Sequence, residues 1–509
     1  IVTPKLTRSP AGLERYVPTD TRPWNEVRAT HLLRRTIFGP TPTEIDSAVR
    51  SSPEAVVEEL LAPQRLPDPP DYTWVNEDPF VRPNSAERKI ERQRVDETRR
   101  WWMTLIVNQA ISLTEKMVLF WHDHFATQAV DVKKPQLMFR QNTTFRQSAL
   151  GNFKGLVLSM NTDPAMLYYL DGRLNRVGRP NENYARELME LFTMGVGNYT
   201  EQDVGEASRA LTGWVVDGRR SRLKVDRQDK GQKTFLRRTG NWNDLGITNI
   251  IFEQPVTATF ICRKLYQEFV YNYPDETVVS HLAQILRDND YELKPVIETL
   301  LLSEHFFDHT TIGSKLKSPI DLTAGTARSL GMKVGENGNV TAQFLVDQAD
   351  ELGQKLLDPP NVAGWQGYRA WISTNTLPKR HLHTDKLVDG KSHFVGRNYY
   401  SMSPIDPVAY IKKFSNPWDA ISLVRSMGQC MTPFAVDAER EEMFLSVLLE
   451  GADDLIPQFA GERAPFALPF AQPLHHQRVS TSAVTVTMVA PLWLSLSPAV
   501  CTPDSVGVY

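Results

Sequence analysis

The stretch RPNENYARELMELFTMGVGNYTEQDVGEASRALTGW, residues 179–214, decides how the chain is read. Pro180 precedes apolar residues at Ala185, Leu188, Met189, Leu191 and Phe192, which is helical spacing. Gly195 and Gly197 end that helix. Thr200 is placed to cap a second one, with Asp203 where a capping-box acid belongs. Val204, Ala207, Ala210 and Leu211 form its apolar stripe, and Gly213 stops it. The first helix carries Glu182, Arg186 and Glu190 at i, i+4 and i+8, with Asn183 and Glu187 in the adjoining row. Such a row is either a solvated salt-bridge ladder, each pair worth ~0.3–0.5 kcal/mol, or a buried carboxylate site held by Arg186.

Working outward, the same grammar recurs. A helical pattern starts from Trp24 and ends near Phe38-Gly39, and Thr41-Pro42-Thr43-Glu44 supplies a cap, a first-turn proline and a capping acid for the next. Charged residues 86–100 predict an exposed helix, and Trp101-Trp102 opens a separate apolar one reaching Ile111. Leu113-Thr114-Glu115-Lys116 starts a helix through Met117, Leu119 and Phe120 that ends in Trp121-His122-Asp123-His124-Phe125. Two histidines two apart point ~200° away from each other on a regular helix. They can face one metal only if the helix stops near Trp121. Asp163-Pro164 caps a short helix. Short alternating runs between Trp214 and Arg238 predict a small antiparallel hairpin or meander. Helical patterns resume from Ile247, and Asp358–Trp365 is a rigid Pro/Gly loop. The loop tryptophans, Trp365 and Trp371, offer a contact surface, and His381 and His383 are expected on the surface.

The fold class is therefore mainly α, a multi-helix assembly with a β insert at 214–238. Residues 1–25 are expected to form an extended arm, 26–400 one large helical domain, 401–455 a helical extension and 456–509 an irregular tail.

Composition narrows the function. The chain has 509 residues, 41% of them hydrophobic, a net charge of −3 and a pI near 6.5. Neither number points to nucleic acid or an anionic membrane. Residues 479–502 carry no charge, but their prolines and hydroxyl residues argue against a membrane span. Cys262, Cys430 and Cys501 are too few and too scattered for a disulfide framework or a cysteine zinc site. There is no phosphate-binding glycine loop and no serine nucleophile elbow.

Taken together, HLLRRTIFGPTPTEI, EKMVLFWHDHFAT, DPAMLYYLD, the stretch from Gly178 to Val204, KTFLRRTGNW, KSPIDL and DPPNVAGWQGYRAWISTNTL resemble the bacterial family called domain of unknown function 1800 over residues 25–385. The resemblance implies a largely helical, exported protein, often encoded beside a phosphatase- or sulfatase-like partner. Export also agrees with the non-Met first residue. The family's characteristic polar positions fall on His122, His124, Asn181, Glu182, Asn183, Arg186, Glu187 and Glu190. Two positions depart: Phe192, and Gln228 before Asp229, stand where many relatives have histidine.

Two histidines and a carboxylate are a plausible set for zinc, manganese or iron. The expectation is a metal-dependent extracytoplasmic hydrolase. His122, His124 and Glu187 would ligate, Glu190 would be the general base beside Glu187 and Arg186, and Asn181, Glu182 and Asn183 would orient the ligands. The alternatives are a metal-free acid/base site using Glu187 or Glu190 with His122, and a non-enzymatic binding or scaffold protein partnering an exported hydrolase or the cell surface.

Overall fold

The computed structural model describes residues 12–68, 73–335, 340–390, 392–414, 416, 419–432 and 437–448. Among these are twenty-one α-helices and three two-stranded antiparallel sheets. The irregular tail expected from 456 lies outside the described residues.

The local signals act as their chemistry requires. The Pro42–Arg50 helix has Thr41 and Glu44 in a reciprocal capping box with Pro42 in its first turn. Thr200 and Asp203 make the same box ahead of Glu201–Ala210. Asp163 accepts from the Met166 amide to start Pro164–Tyr169. Gly195, Gly197 and Gly213 all have positive φ, 81°, 85° and 100°, so the chain reverses where a side chain would be strained.

Several expectations are corrected. Residues 85–108 form one helix, Ser85–Asn108, not an exposed helix followed by an apolar one. No proline or glycine interrupts it, so only its surroundings change, from solvent to core. The expected antiparallel β insert is present, as two hairpins, Trp214–Asp217 with Arg220–Leu223 and Lys233–Phe235 with Arg238–Gly240. In the second, Leu236 and Arg237 take φ of 45° and 64°, a two-residue turn normally given to Asn-Gly. Asp203 holds it by accepting from the Leu236 amide at 2.8 Å. A third hairpin, His393–Val395 with Asn398–Tyr400, was not expected. The described part of the arm pairs with the chain at 302–305: the Tyr16 amide donates to the Leu302 carbonyl and the Glu304 amide to that of Glu14. Of the two histidines expected on the surface, His381 is exposed, whereas His383 is fully buried and stacked on Phe344. On Thr376–Asp389 the residues at 380, 383, 384 and 387 share the inward face.

One apolar core extends from Tyr16 to Phe444. The Thr114–His124 helix lies in it, packed on Ser85–Asn108 and Pro135–Gln147. Ser85–Asn108 also packs on Pro319–Ser329, which packs on Thr376–Asp389. Glu26–Thr36 packs on Ala420–Met431. Where the chain leaves Glu26–Thr36, Gly39 crosses the Pro319–Ser329 helix so closely that a Cβ would lie 2.6 Å from the Gly325 carbonyl oxygen. Gly39 also has a φ of 85°, so glycine is required there twice over.

Candidate functional site

The Thr114–His124 helix runs through both histidines, so their side chains diverge. His122 is 1% exposed, with its ring edge-on to Trp102 at 5.5 Å and tilted against Trp365 at 5.9 Å and Phe145 at 6.4 Å. Its Nε2 has no hydrogen-bond partner, and burial pushes its pKa down to about 3. His124 is buried among Phe125, Phe153 and Phe192, with Nε2 3.0 Å from the Phe192 carbonyl oxygen. Burial, and then Lys264, hold its pKa well below the ordinary value.

The carboxylate helix, Asn183–Glu190, is elsewhere engaged. Arg186 makes two hydrogen bonds to Glu201, of 2.7 and 2.8 Å, and a longer one to Glu182. Glu190 accepts from the Tyr199 hydroxyl. Asn181 caps locally by accepting from the Asn183 amide, and Glu182 and Asn183 are exposed. Glu187 is half-buried, and burial followed by the Glu190 charge raises its pKa. Neither histidine hydrogen-bonds to any of these carboxylates. Among the described residues no three His, Cys, Asp or Glu side chains gather as a metal site would need. The donor set expected for zinc, manganese or iron therefore does not fit a metal in this arrangement. Phe192 fills space beside His124, and Asp229, next to Gln228, pairs with Arg209 at 2.8 Å.

His122 makes a sharp prediction. The folded protein holds it neutral to about pH 3, whereas the unfolded chain takes up a proton below ~6.5. Its contribution to stability is thus intact above pH 6.5 and is lost as pH falls. His122→Phe should leave stability at neutral pH unchanged or raised. At pH 5 it should gain on the order of 2 kcal/mol over the parent, from 1.5 units of pH below the unfolded pKa. Asp123, Asp163 and Glu26, whose pKa values are raised, change stability in the opposite direction in both proteins and cancel in the difference. Chemical denaturation at the two pH values measures it. Loss of stability together with loss of a bound metal would instead place His122 in a metal site.

What the helix presents to a cavity is its third face. Lys116, Leu119, Phe120 and Asp123, at i, i+3, i+4 and i+7, line a space of about 250 Å³. Lys264, Gln267 and Glu268 face them from the Pro255–Phe269 helix. Lys315, Ser318 and Asp321 enter from the start of Pro319–Ser329, and Trp365, Tyr368 and Trp371 form the remaining wall. The two tryptophans, each 8% exposed, face inward. They wall the cavity instead of offering the surface contact expected.

The loop is clamped to the helix. The Trp365 amide donates to Asp123 Oδ1 at 2.6 Å. Gly364 has a φ of 79°, and a Cβ there would lie 2.3 Å from the same carboxylate oxygen. Only glycine lets the loop close on Asp123. Burial raises the Asp123 carboxyl to about 6 despite Lys264 and Lys315 nearby. Lys116 pairs with Asp321 and, at 3.5 Å, with Glu268, and Lys315 donates to Glu268 at 2.8 Å. Lys264 has no carboxylate within ion-pair distance among the described residues, and burial lowers its pKa. Two larger surface clefts, of about 540 and 680 Å³, contain charges that are mostly paired, such as Glu115–Arg146 in one and Arg99–Asp358 and Lys134–Glu91 in the other.

Residues 31–486 match the family model described as a protein of unknown function, DUF1800. The chain belongs to that family. The match continues a hundred residues past 385, where the resemblance read from motifs stops, and into the segment from 456. No curated protein and no solved structure is matched. The cavity was missed because its charged residues are scattered from Lys116 to Trp371. One signal was present: EKMVLFWHDHF, KSPIDL and the Asp358–Trp371 loop are three of the motif segments, and all three meet here.

Proposed function

We propose that the protein is a ligand-binding protein, and that it takes a small polar molecule into the cavity between Asp123, Lys264 and the Trp365 loop. One observation carries this reading: three motif segments, 115–127, 317–322 and 358–377, bring Lys116, the carboxylates of Asp123 and Asp321 and three aromatic side chains of the Trp365 loop into a single cavity, where Lys264 and Lys315 join them. Apolar walls with a few convergent polar groups are what small-molecule sites have in common. A metal-dependent hydrolase built on His122, His124 and Glu187 has no comparable support, because those residues do not converge.

The test is thermal-shift screening of sugars, amino acids and phosphorylated or sulfated metabolites, followed by calorimetry on any hit. Binding that is lost in Lys264→Met supports the reading. Hits that bind Lys264→Met and Trp371→Ala as well as the parent overturn it. A second reading, a metal-free acid/base enzyme, rests on Asp123, whose carboxyl titrates at about 6 inside the cavity. Asp123→Asn then separates the two: it leaves a pure binder's affinity within a few-fold but abolishes turnover of the hit by an enzyme.

A further inference from the structure

A smaller cavity of about 60 Å³ adjoins the first, and the two share Lys116, Lys315, Leu316 and Asp321. Its own lining adds His31, Arg34 and Arg35 from the Glu26–Thr36 helix and Lys317 from the approach to Pro319. Together the two cavities are lined by six cationic side chains and three carboxylates. The carboxylates are already used. Asp321 is bound to Lys116, and Glu268 to Lys315.

The remaining cations have no carboxylate within ion-pair distance among the described residues. Arg34 donates to the Cys430 carbonyl at 2.5 Å, and Arg35 to the Thr311 carbonyl at 2.9 Å and the Ser314 hydroxyl at 3.1 Å. Neither meets a carboxylate within ion-pair distance among the described residues. The Lys317 ammonium makes no hydrogen bond or ion pair among them either. Just behind it, Arg380 spends one nitrogen on the Lys317 carbonyl at 2.8 Å, and its other terminal nitrogen is buried without a partner. Burial lowers the pKa of Arg34, Arg35 and Arg380, each to about 10. Arg35 and Arg380 are buried and Arg34 and Lys317 half-buried, and holding like charges partly out of water without an anion is costly.

We propose that this smaller cavity is an anion site that takes a tetrahedral oxyanion, a phosphate or sulfate, between Arg34, Arg35 and Lys317. Its size agrees: about 60 Å³ holds roughly four to six water-sized spheres at ~10–15 Å³ each, and such an anion has about five non-hydrogen atoms. Guanidinium groups match the geometry of such oxygens. Asp321 also lines the space, but Lys116 and Lys315 neutralise it. Because the cavities share Lys116, Lys315, Leu316 and Asp321, the ligand of the larger one carries this group, a conclusion that rests on the reading above. The anion site itself does not depend on it.

The experiment is calorimetry and thermal shift of the full chain with sodium phosphate and, separately, sodium sulfate, against sodium chloride of matched ionic strength. Saturable binding to one site is expected, with the midpoint of unfolding raised. Lys317→Met should weaken binding about tenfold or more, and Lys317→Arg should retain it. Lys264→Met, in the larger cavity, should leave it within about twofold. In anion-free buffer Lys317→Met should unfold at a higher temperature than the parent, because it removes one of several like charges. That sign cannot come from a variant that merely fails to fold. Affinity for sulfate, whose charge is constant over the range, should fall between about pH 6 and about pH 8 as Lys317 loses its proton. Burial lowers this ammonium to about 7, Arg34 and Arg380 lower it further, Asp321 opposes them, and Cys430 also faces it. No saturable binding of either anion, or equal binding by Lys317→Met and the parent, overturns the proposal. Anion binding without any hit in the larger cavity would leave this site standing and sink the ligand-binding reading.

Discussion

Asp321→Ala is expected to destabilise the protein by about 3–5 kcal/mol, the usual cost of removing one partner from a buried ion pair. Its carboxylate is the acceptor for Lys116, whose side chain is 4% exposed, and it lies within the field of Lys315. It also accepts from the Ser318 amide in the capping box that starts Pro319–Ser329. Burial alone would raise its pKa, but Lys116 and Lys315 outweigh burial and hold it down at about 2. The folded-state value lies below the unfolded ~3.9, so the contribution is fully present above about pH 4 and is lost only as pH falls through 2. Denaturation at neutral pH therefore measures all of it.

The companion variant fixes the cause. Lys116→Met combined with Asp321→Ala should recover much of the loss, because the double variant removes a buried lysine that Asp321→Ala leaves against Phe38 with only the 3.5 Å contact to Glu268. An uncompensated cavity also predicts partial rescue of Asp321→Ala by phosphate or sulfate beyond that of chloride. A loss below about 1 kcal/mol would mean that water screens the pair as it does a surface salt bridge, and the buried cation cluster would lose its basis.

The parts that could be read in the sequence are those whose physics is local. A capping box spans four residues, so Thr41 with Glu44 and Thr200 with Asp203 declare themselves, as do Gly195 and Gly213 at helix ends. The row Glu182, Arg186, Glu190 was visible too, but its meaning was not. Glu201, fifteen residues on, takes Arg186 and leaves the row as a half-exposed ladder. For His122 and His124 the deciding fact was whether the helix continued, and it does, through both of them. Nothing in the local sequence could place Lys116 against Asp321 or Asp123 against Trp365. Those contacts span 205 and 242 residues and exist only once the helices pack. Lys116 and Asp123, seven residues apart on the face of Leu119 and Phe120, were the local hint that the face was not plain core.

Glu115→Ala is expected to cost a similar amount, about 3–5 kcal/mol, through the other side of the same helix. Glu115 receives Arg146 through two nitrogens, at 2.5 and 2.9 Å, and Trp102 Nε1 at 2.9 Å. The Arg146 and Glu115 side chains are 3% and 7% exposed, so water replaces little of what is removed. Truncation leaves a buried guanidinium and an indole N–H without their acceptor, each costing on the order of 1–3 kcal/mol. Arg146 keeps only Asn142 and the face of Trp101. Glu115→Gln keeps one acceptor oxygen but no charge, and should lose roughly half as much. These three residues tie Thr114–His124 to Ser85–Asn108 and Pro135–Gln147 one position before Lys116 enters the cavity. The near-ultraviolet signal of Trp102 should therefore change in Glu115→Ala, and ligand or anion affinity should fall although Glu115 does not line either cavity. Unchanged stability would show that Arg146 finds another partner, and unchanged affinity would show that the Lys116 face is held by the loop at Asp123 alone.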